Sequence, residues 1–356
     1  MAAAATGAYS ISLKRRPLTP QPMPPLYTAL PRLLRLLILL LPLLALLPGC
    51  DNDDDKPVPP PNPERITVPQ AALHPEGIQW DENNRRFLVS SRTRGRIGTV
   101  TDDSVYTQLA DDPRLISTIG LNLDAGRNRL LAAVSDAGVN PSRTSATTLR
   151  KLAAVAIFNA TSGALTSFVD LGGLRPVYPQ HFANDIAVDA QGNAYVTDSF
   201  APVIYKIDLQ GTASVFLENA QLSGGTAFGL NGIVYHPDGY LLVAKANDGA
   251  LFKVPISNPT GFTRVTTAQN LTGADGLLLF DNQTLLVVAG SQGTVYRLSS
   301  TDAWTNAAAA GSFATGAVSP TTLTRRASLS GGAADAYVLY PYQATSPRFA
   351  IVKARF

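Results

Sequence analysis

Five times between Gly77 and Leu298 the chain runs through one cycle: an apolar run, a tight polar turn, a second apolar run, a short link and a third apolar run. The first two runs with their turn occupy residues 77–91, 120–136, 185–199, 232–246 and 276–290. The third runs occupy 96–100, 155–159, 203–207, 250–254 and 294–298. The turns carry Asn83-Asn84, Gly126-Arg127-Asn128, Gln191-Gly192-Asn193, Pro237-Asp238-Gly239 and Asp281-Asn282-Gln283. Such residues close hairpins because Gly and Asn accept left-handed backbone and Asp and Asn side chains bond to nearby main chain. Spacing ties the units together. Tyr205, Phe252 and Tyr296 lie 21 residues after Asn184, Asn231 and Asp275, and Gly98 lies 22 after Glu76. Counted from Gly77, successive units begin 43, 65, 47 and 44 residues apart. The long gap holds a Ser-, Thr- and Arg-rich stretch between Asp136 and Lys151, which reads as an inserted loop.

A unit of this length cannot bury its apolar face alone and must pack against its neighbours, so a period of about 40 to 50 residues built from short strands points to a ring. The expected fold is all-β, a six-bladed β-propeller with four-stranded blades around a central channel. The tail supplies the sixth unit, with strands expected at 323–329, 336–341 and 348–354, and residues 64–68 are expected to add its outer strand and close the ring. The domain, 64–356, has about 290 residues, enough to bury about three quarters of its unfolded surface. Its lone cysteine, Cys50, precedes it, so the core alone must stabilise it.

Immediately before four of the five inner runs stand Glu76, Asn184, Asn231 and Asp275, all oxygen donors; the second unit has Ile119 there. Inner strands of a propeller line the channel and run in one direction, so residues in this register meet at one mouth. Two carboxylates and two amides, without His, Cys or Met, suit a hard divalent cation, Ca²⁺ first, with Mg²⁺, Mn²⁺ or Zn²⁺ as alternatives. Taken one by one, Asn or Asp before Gly is ordinary turn chemistry; the shared register is what points to metal.

The segments around Glu76-Gly77-Ile78, Asn184-Asp185-Ile186, Asn231-Gly232-Ile233 and Asp275-Gly276-Leu277 resemble the signature positions of the regucalcin/gluconolactonase family, and are similar to the related serum paraoxonase and diisopropyl fluorophosphatase propellers. The resemblance covers roughly residues 70–300. It implies a catalytic divalent cation held by Glu76, Asn184, Asn231 and Asp275, and hydrolysis of a lactone or related ester. The cation would polarise the carbonyl, with Asp275 as general base or nucleophile, the base role being preferred. His181, three residues before Asn184, either assists proton transfer at the mouth or is a loop histidine bonded to backbone; His74 has the same two readings. His236 falls in a turn and is expected to be exposed, and Asp185 to support the metal residues or bond to a neighbouring inner strand. The loop 137–149 either covers the site or is a flap. The alternative function is a non-catalytic propeller whose metal is structural and whose face binds a protein or glycan. A quinone-dependent sugar oxidase finds no support, because it calls for a cluster of basic and His residues and the chain has three His.

The first 50 residues read as a secretory leader: Arg32 and Arg35, a 12-residue apolar run at 36–47, then Pro48-Gly49-Cys50. The run is short for a spanning helix, which needs roughly 20 residues. The ending resembles a lipobox, with Cys50 the expected lipidation site and Met23 the expected true start. Residues 51–63, acidic then proline-rich, read as a tether. The expected localisation is lipid-anchored in the bacterial cell envelope, at the outer membrane or cell surface. The formal net charge of +3 includes cations of the leader, so nothing argues for a nucleic-acid partner.

Overall fold

The computed structural model describes residues 60–356, so the leader, Cys50 and most of the tether lie outside the described residues. Within them the chain forms six sheets of four strands, and its first strand, β1 (Arg65–Val68), belongs to the last of them. The first blade is β2 (Ile78–Asp81), β3 (Arg86–Val89), β4 (Arg96–Val100) and β5 (Tyr106–Asp111). The second is β6 (Ser117–Asp124), β7 (Arg129–Ser135), β8 (Ala153–Asn159) and β9 (Leu165–Asp170). The third is β10 (Ala183–Val188), β11 (Ala194–Asp198), β12 (Val203–Ile207) and β13 (Ala213–Glu218). The fourth is β14 (Leu230–His236), β15 (Tyr240–Lys245), β16 (Ala250–Pro255) and the short β17 (Thr263–Arg264). The fifth is β18 (Ala274–Asp281), β19 (Thr284–Ala289), β20 (Thr294–Ser299) and β21 (Ala308–Ala314). The sixth takes β22 (Leu323–Arg326), β23 (Asp335–Tyr340) and β24 (Phe349–Ala354) from the tail and β1 from the front, paired antiparallel from Arg65 with Val352 to Val68 with Phe349. This is the six-bladed β-propeller, closed by the expected strand.

The core is a ring of six clusters, one at each seam between neighbouring blades. The second strand of each blade feeds two of them. In β19, Leu285 and Val287 pack toward the fourth blade while Leu286 and Val288 pack toward the sixth. In β15, Leu242 and Leu241 divide in the same way. Successive side chains of a strand point to opposite faces. A strand buried on both faces is therefore apolar at every position, which accounts for the unbroken run Leu285-Leu286-Val287-Val288.

The channel sides of the inner strands are free edges, and edge N–H and C=O groups need partners. Side chains of the preceding blade in the ring supply several: Gln79 Nε2 donates to Leu121 O at 3.0 Å, Asn122 Nδ2 to Ile186 O at 3.0 Å, and the Trp80 N–H to Thr324 Oγ1 at 3.0 Å. The channel so formed encloses about 230 Å³.

Asn62 belongs to the ring. It is 2% exposed, and its amide donates to Ala327 O and to Asp335. The insertion after β7 is tied down: Asn140 Nδ2 donates to Ile116 O, and the Arg143 guanidinium donates to the carbonyls of Gly95, Asp112 and Leu115. His236 is a correction. It is buried at 2% exposure, stacked 4.3 Å from the Tyr240 ring, because its turn meets the β18–β19 turn of the fifth blade, where Nε2 reaches Asn282 O at 3.0 Å.

Candidate metal centre

The register positions sit in a repeated defect. In β10, β14 and β18 the pairing to the second strand slips by one residue, at Asn184-Asp185, Asn231-Gly232 and Asp275-Gly276; in β6 it slips at Ile119-Gly120. Each is a β-bulge, in which two residues face one and the strand bends, re-aiming a side chain. Glu76 lies two residues ahead of β2, and the N–H groups of Glu76 and Gly77 both donate to Ser90 Oγ, at 3.2 and 2.7 Å. Two residues before Leu323 the sixth blade places Thr321, whose hydroxyl donates to Glu76 O at 3.0 Å. The glycine after the register residue lets adjacent inner strands touch. A Cβ on Gly232 would lie 2.2 Å from Asp275 O, and one on Gly77 2.4 Å from Ile119 O.

The third blade has Asp185 where these have Gly. Its carboxylate accepts from the N–H of Ile186 at 2.9 Å and, across the channel edge, from the N–H of Ile233 at 3.3 Å. Burial pushes its pKa up to about 7, the two amide donors opposing and the Glu76 charge adding. Asp275 is driven well above the ordinary carboxylate range, first by burial and then by the charges of Glu76 and Asp185, with Arg92 and the Asn231 amide offsetting part. Glu76, Asp185, Asn231 and Asp275 thus form one electrostatic cluster. Asn184 occupies the same level, its Nδ2 donating to Ser199 Oγ at 2.9 Å.

Two of the four register side chains present a buried oxygen without a hydrogen-bond partner: Glu76 Oε2 and Asn231 Oδ1. Buried polar atoms left unpaired are costly, and a carboxylate and an amide oxygen are both hard donors. On that observation the residues fit a divalent cation. The set depends on its amides, because among the described residues no group of three or more His, Cys, Asp or Glu is assembled for metal.

Sequence reading missed Arg92. Its Nε lies 3.1 Å from Glu76 Oε2, an ion pair without hydrogen-bond alignment, since both atoms lack a hydrogen-bond partner. His74 stands behind it at φ 40°, a left-handed backbone that is strained for a non-glycine residue. Burial and the Arg92 charge lower the His74 pKa to about 4, so its ring is neutral.

The structure places His181 beneath the rim at 4% exposure, with Nδ1 2.7 Å from Asp198 Oδ2 and 3.3 Å from the Tyr205 hydroxyl. Burial lowers its pKa, and the Asp198 carboxylate more than reverses this, so the net direction is upward. Its side-chain partners are Asp198 of β11, Tyr205 of β12 and the Tyr178 ring, its Nε2 is buried without a hydrogen-bond partner, and none of the four register residues touches it through a hydrogen bond.

The chain matches the family described as SMP-30/Gluconolactonase/LRE-like region over residues 74–315. No curated protein sequence matches it. Among solved structures, the major allergen Mala s 1 of Malassezia sympodialis superposes with a TM-score of 0.68 at 19% identity, over 82% of this chain and 96% of that one. A luciferin-regenerating enzyme gives 0.56 at 12% identity, over 83% and 96%. A gluconolactonase of Xanthomonas campestris gives 0.54 at 16% identity, over 82% and 89%. At these identities the superpositions establish the shared fold. The sequence match, spanning more than half of the chain, establishes that it belongs to the SMP-30/gluconolactonase/LRE-like family.

Proposed function

We propose that this protein is a metal-dependent lactone or ester hydrolase whose divalent cation, Ca²⁺ first among the candidates, is held at the channel mouth by Glu76, Asn184, Asn231 and Asp275. The observation that carries this reading is the pair of buried oxygens on Glu76 and Asn231 that no hydrogen bond satisfies, set in a cluster of carboxylates that Arg92 offsets only in part. A bound cation would polarise the substrate carbonyl and lower the pKa of the surrounding carboxylates.

The chain's own residues do the rest. Asp275 accepts the proton of the attacking water and returns it to the leaving alkoxide. Its raised pKa disfavours the ionised carboxylate that the task needs, and a bound cation would offset this, so metal and base act together. Asn231 and Asn184 orient the oxygen-rich face, and Ser199 fixes the Asn184 amide from behind. His181, locked to Asp198, acts as a positioning residue for the rim. The channel below, at about 230 Å³, is too small for a drug-sized ligand, so the substrate is read at the mouth. The leader and Cys50 fit export and lipid anchoring in a bacterial envelope, which brings the protein to small molecules outside the cytoplasm.

The test is turnover of a lactone and ester panel by the purified protein, stripped of metal and then resupplied with Ca²⁺, Mg²⁺, Mn²⁺ or Zn²⁺, beside Asp275→Ala. Metal-dependent turnover that the substitution abolishes supports the proposal. Metal binding that raises the melting temperature without turnover on any substrate moves the reading to a structural metal in a propeller that binds a protein or glycan.

A further inference from the structure

The second strand of each blade ends beside that blade's register residue. Pairing sets Val89 opposite Ile78, Ala132 opposite Leu121, Val196 opposite Ile186, Val243 opposite Ile233, Val287 opposite Leu277 and Val338 opposite Leu323. Three residues further on, the equivalent positions are Arg92, Ser135, Ser199, Ala246, Gly290 and Pro341. Contacts support the equivalence. Ser199 Oγ meets the Asn184 amide, a Cβ on Gly290 would lie 3.8 Å from Asp275 Oδ2, and Arg92 Nε meets Glu76 Oε2. Five of the six positions carry small or cyclic residues without charge, and the first blade alone carries a long cation.

Arg92 is hydrogen-bonded at its main chain and held at its head by charge alone. Its N–H donates to His74 O at 3.3 Å and its carbonyl accepts from Ser117 Oγ at 2.6 Å. Among the described residues the guanidinium has one anionic partner, Glu76, on the oxygen that no hydrogen bond claims, and its side chain is 25% exposed. The groups around it are the Glu76 and Asp275 carboxylates and the neutral His74 ring.

We propose that Arg92 is a resident counter-cation that a divalent ion must displace from Glu76, so that this one residue sets the concentration at which the mouth loads. This rests on the metal-centre reading. Without metal, the guanidinium offsets the Glu76 charge in a place where an unpaired carboxylate is expensive. A divalent ion that takes Glu76 Oε2 leaves two cations on the same side of the mouth, and their repulsion is charged against loading. The anchored main chain and the partly exposed side chain allow Arg92 to swing toward solvent while Ser90 keeps Glu76 in register.

The experiment is calorimetric titration of the metal-stripped purified protein with Ca²⁺ alone, for wild type, Arg92→Gln, Arg92→Lys and Glu76→Gln, with melting temperatures recorded for each. Removing one nearby positive charge is expected to tighten Ca²⁺ in Arg92→Gln by about tenfold or more. Arg92→Lys keeps the charge and should stay within about threefold of wild type, and Glu76→Gln should lose binding. It also counts in favour if wild type does not bind and Arg92→Gln does. If Arg92→Gln, still folded, binds Ca²⁺ no more tightly than wild type, the counter-cation role is overturned while the metal centre stands. If it is unfolded, Arg92→Lys decides: Ca²⁺ at least tenfold weaker there means that Arg92 builds the site rather than competes for it. If no variant binds, the metal centre itself fails and the inference falls with it.

Discussion

Burial and two neighbouring carboxylates hold a proton on Asp275 well above the ordinary range, and the sign of that shift makes a test at the level of single residues. An acid whose folded pKa is raised costs the native state stability as pH climbs from its unfolded value to its folded one. Asp185, pushed up to about 7, acts in the same direction and in a window from about 4 to about 7. The metal-free protein should therefore lose stability as pH rises from about 4 to about 7, and Asp275→Asn should lose less, so the two melting curves diverge as pH rises. The same variant is expected to lose at least about a hundredfold in lactone turnover, because the amide cannot accept a proton. Parallel pH curves for the two proteins would show that Asp275 is not under this strain. His74 has the opposite sign. Its folded pKa is lowered to about 4, so the unfolded chain takes up the proton first and stability falls as pH drops from about 6.5 toward 4. The shift bounds the loss at about 3 kcal/mol. Urea titrations at pH 7 and pH 5 should show His74→Asn narrowing the gap between the two; an unchanged gap would place the acid sensitivity elsewhere.

Bulge and glycine act as one element, repeated around the mouth. The bulge turns a side chain toward the axis, and the glycine behind it lets the next inner strand close in, so the donors converge because the strands can touch. Gly232→Ala tests this. Its Cβ would meet three neighbours of the fifth blade, Asp275 O, Leu277 N and the Leu277 side chain, at 2.2, 2.8 and 2.9 Å, and two of those are backbone atoms that cannot rotate away. The expected cost is about 2 kcal/mol or more in urea unfolding, with Ca²⁺ binding weakened as Asp275 is pushed out of place. A cost below about 0.5 kcal/mol would mean that the inner strands have slack. The same element explains what could be read from the chain and what could not. The register of Glu76, Asn184, Asn231 and Asp275 was legible because a Gly or Asp and an apolar run follow each one at a fixed step. Arg92 was hidden by hairpin length. Ile78 pairs 11 residues ahead with Val89, whereas Ile186, Ile233 and Leu277 pair 10 ahead, so simple counting sets Arg92 against Phe200 instead of Ser199. Thr321 was hidden because Thr322 follows it where the glycine should be. The strand β21, Ala308–Ala314, exposes nearly every side chain, so no apolar alternation announces it, and its ladder to β20 and the packing of Phe313 hold it.

For the whole molecule the question is how a ring of six seams stays shut, since five are continuous in sequence and the sixth joins the two ends of the domain. Three features meet there. The ladder of β1 on β24 puts Ile66 and Val68, both essentially buried, into the cluster with Phe87, Tyr337 and Phe349. Asn62 and Tyr337 tie the chain just ahead of β1 to the sixth blade, the Tyr337 hydroxyl donating to Pro63 O at 2.6 Å. Arg326, 1% exposed at the end of β22, lies 4.0 Å over the Trp80 ring and makes a two-point ion pair with Asp102 of the first blade, at 2.6 and 2.7 Å. Only the first two are lost when residues 60–68 are deleted. Burying Ile66 and Val68 is worth about 1.5–3 kcal/mol each, and their loss also leaves β24 as a bare edge open to another chain. The deletion should therefore unfold several kcal/mol more easily and elute as larger species on size exclusion, even with Arg326 and Asp102 intact. Arg326→Gln, with β1 in place, removes the buried guanidinium from the Trp80 ring and leaves Asp102 to solvent, and should cost about 2 kcal/mol without changing the elution volume. If the deletion is as stable as the full domain and remains a monomer, the ring is held by its five continuous seams and β1 is dispensable. If both variants fall by similar amounts but only the deletion associates, closure has two separable parts: packing and charge that set stability, and a covered edge that keeps one ring from pairing with the next.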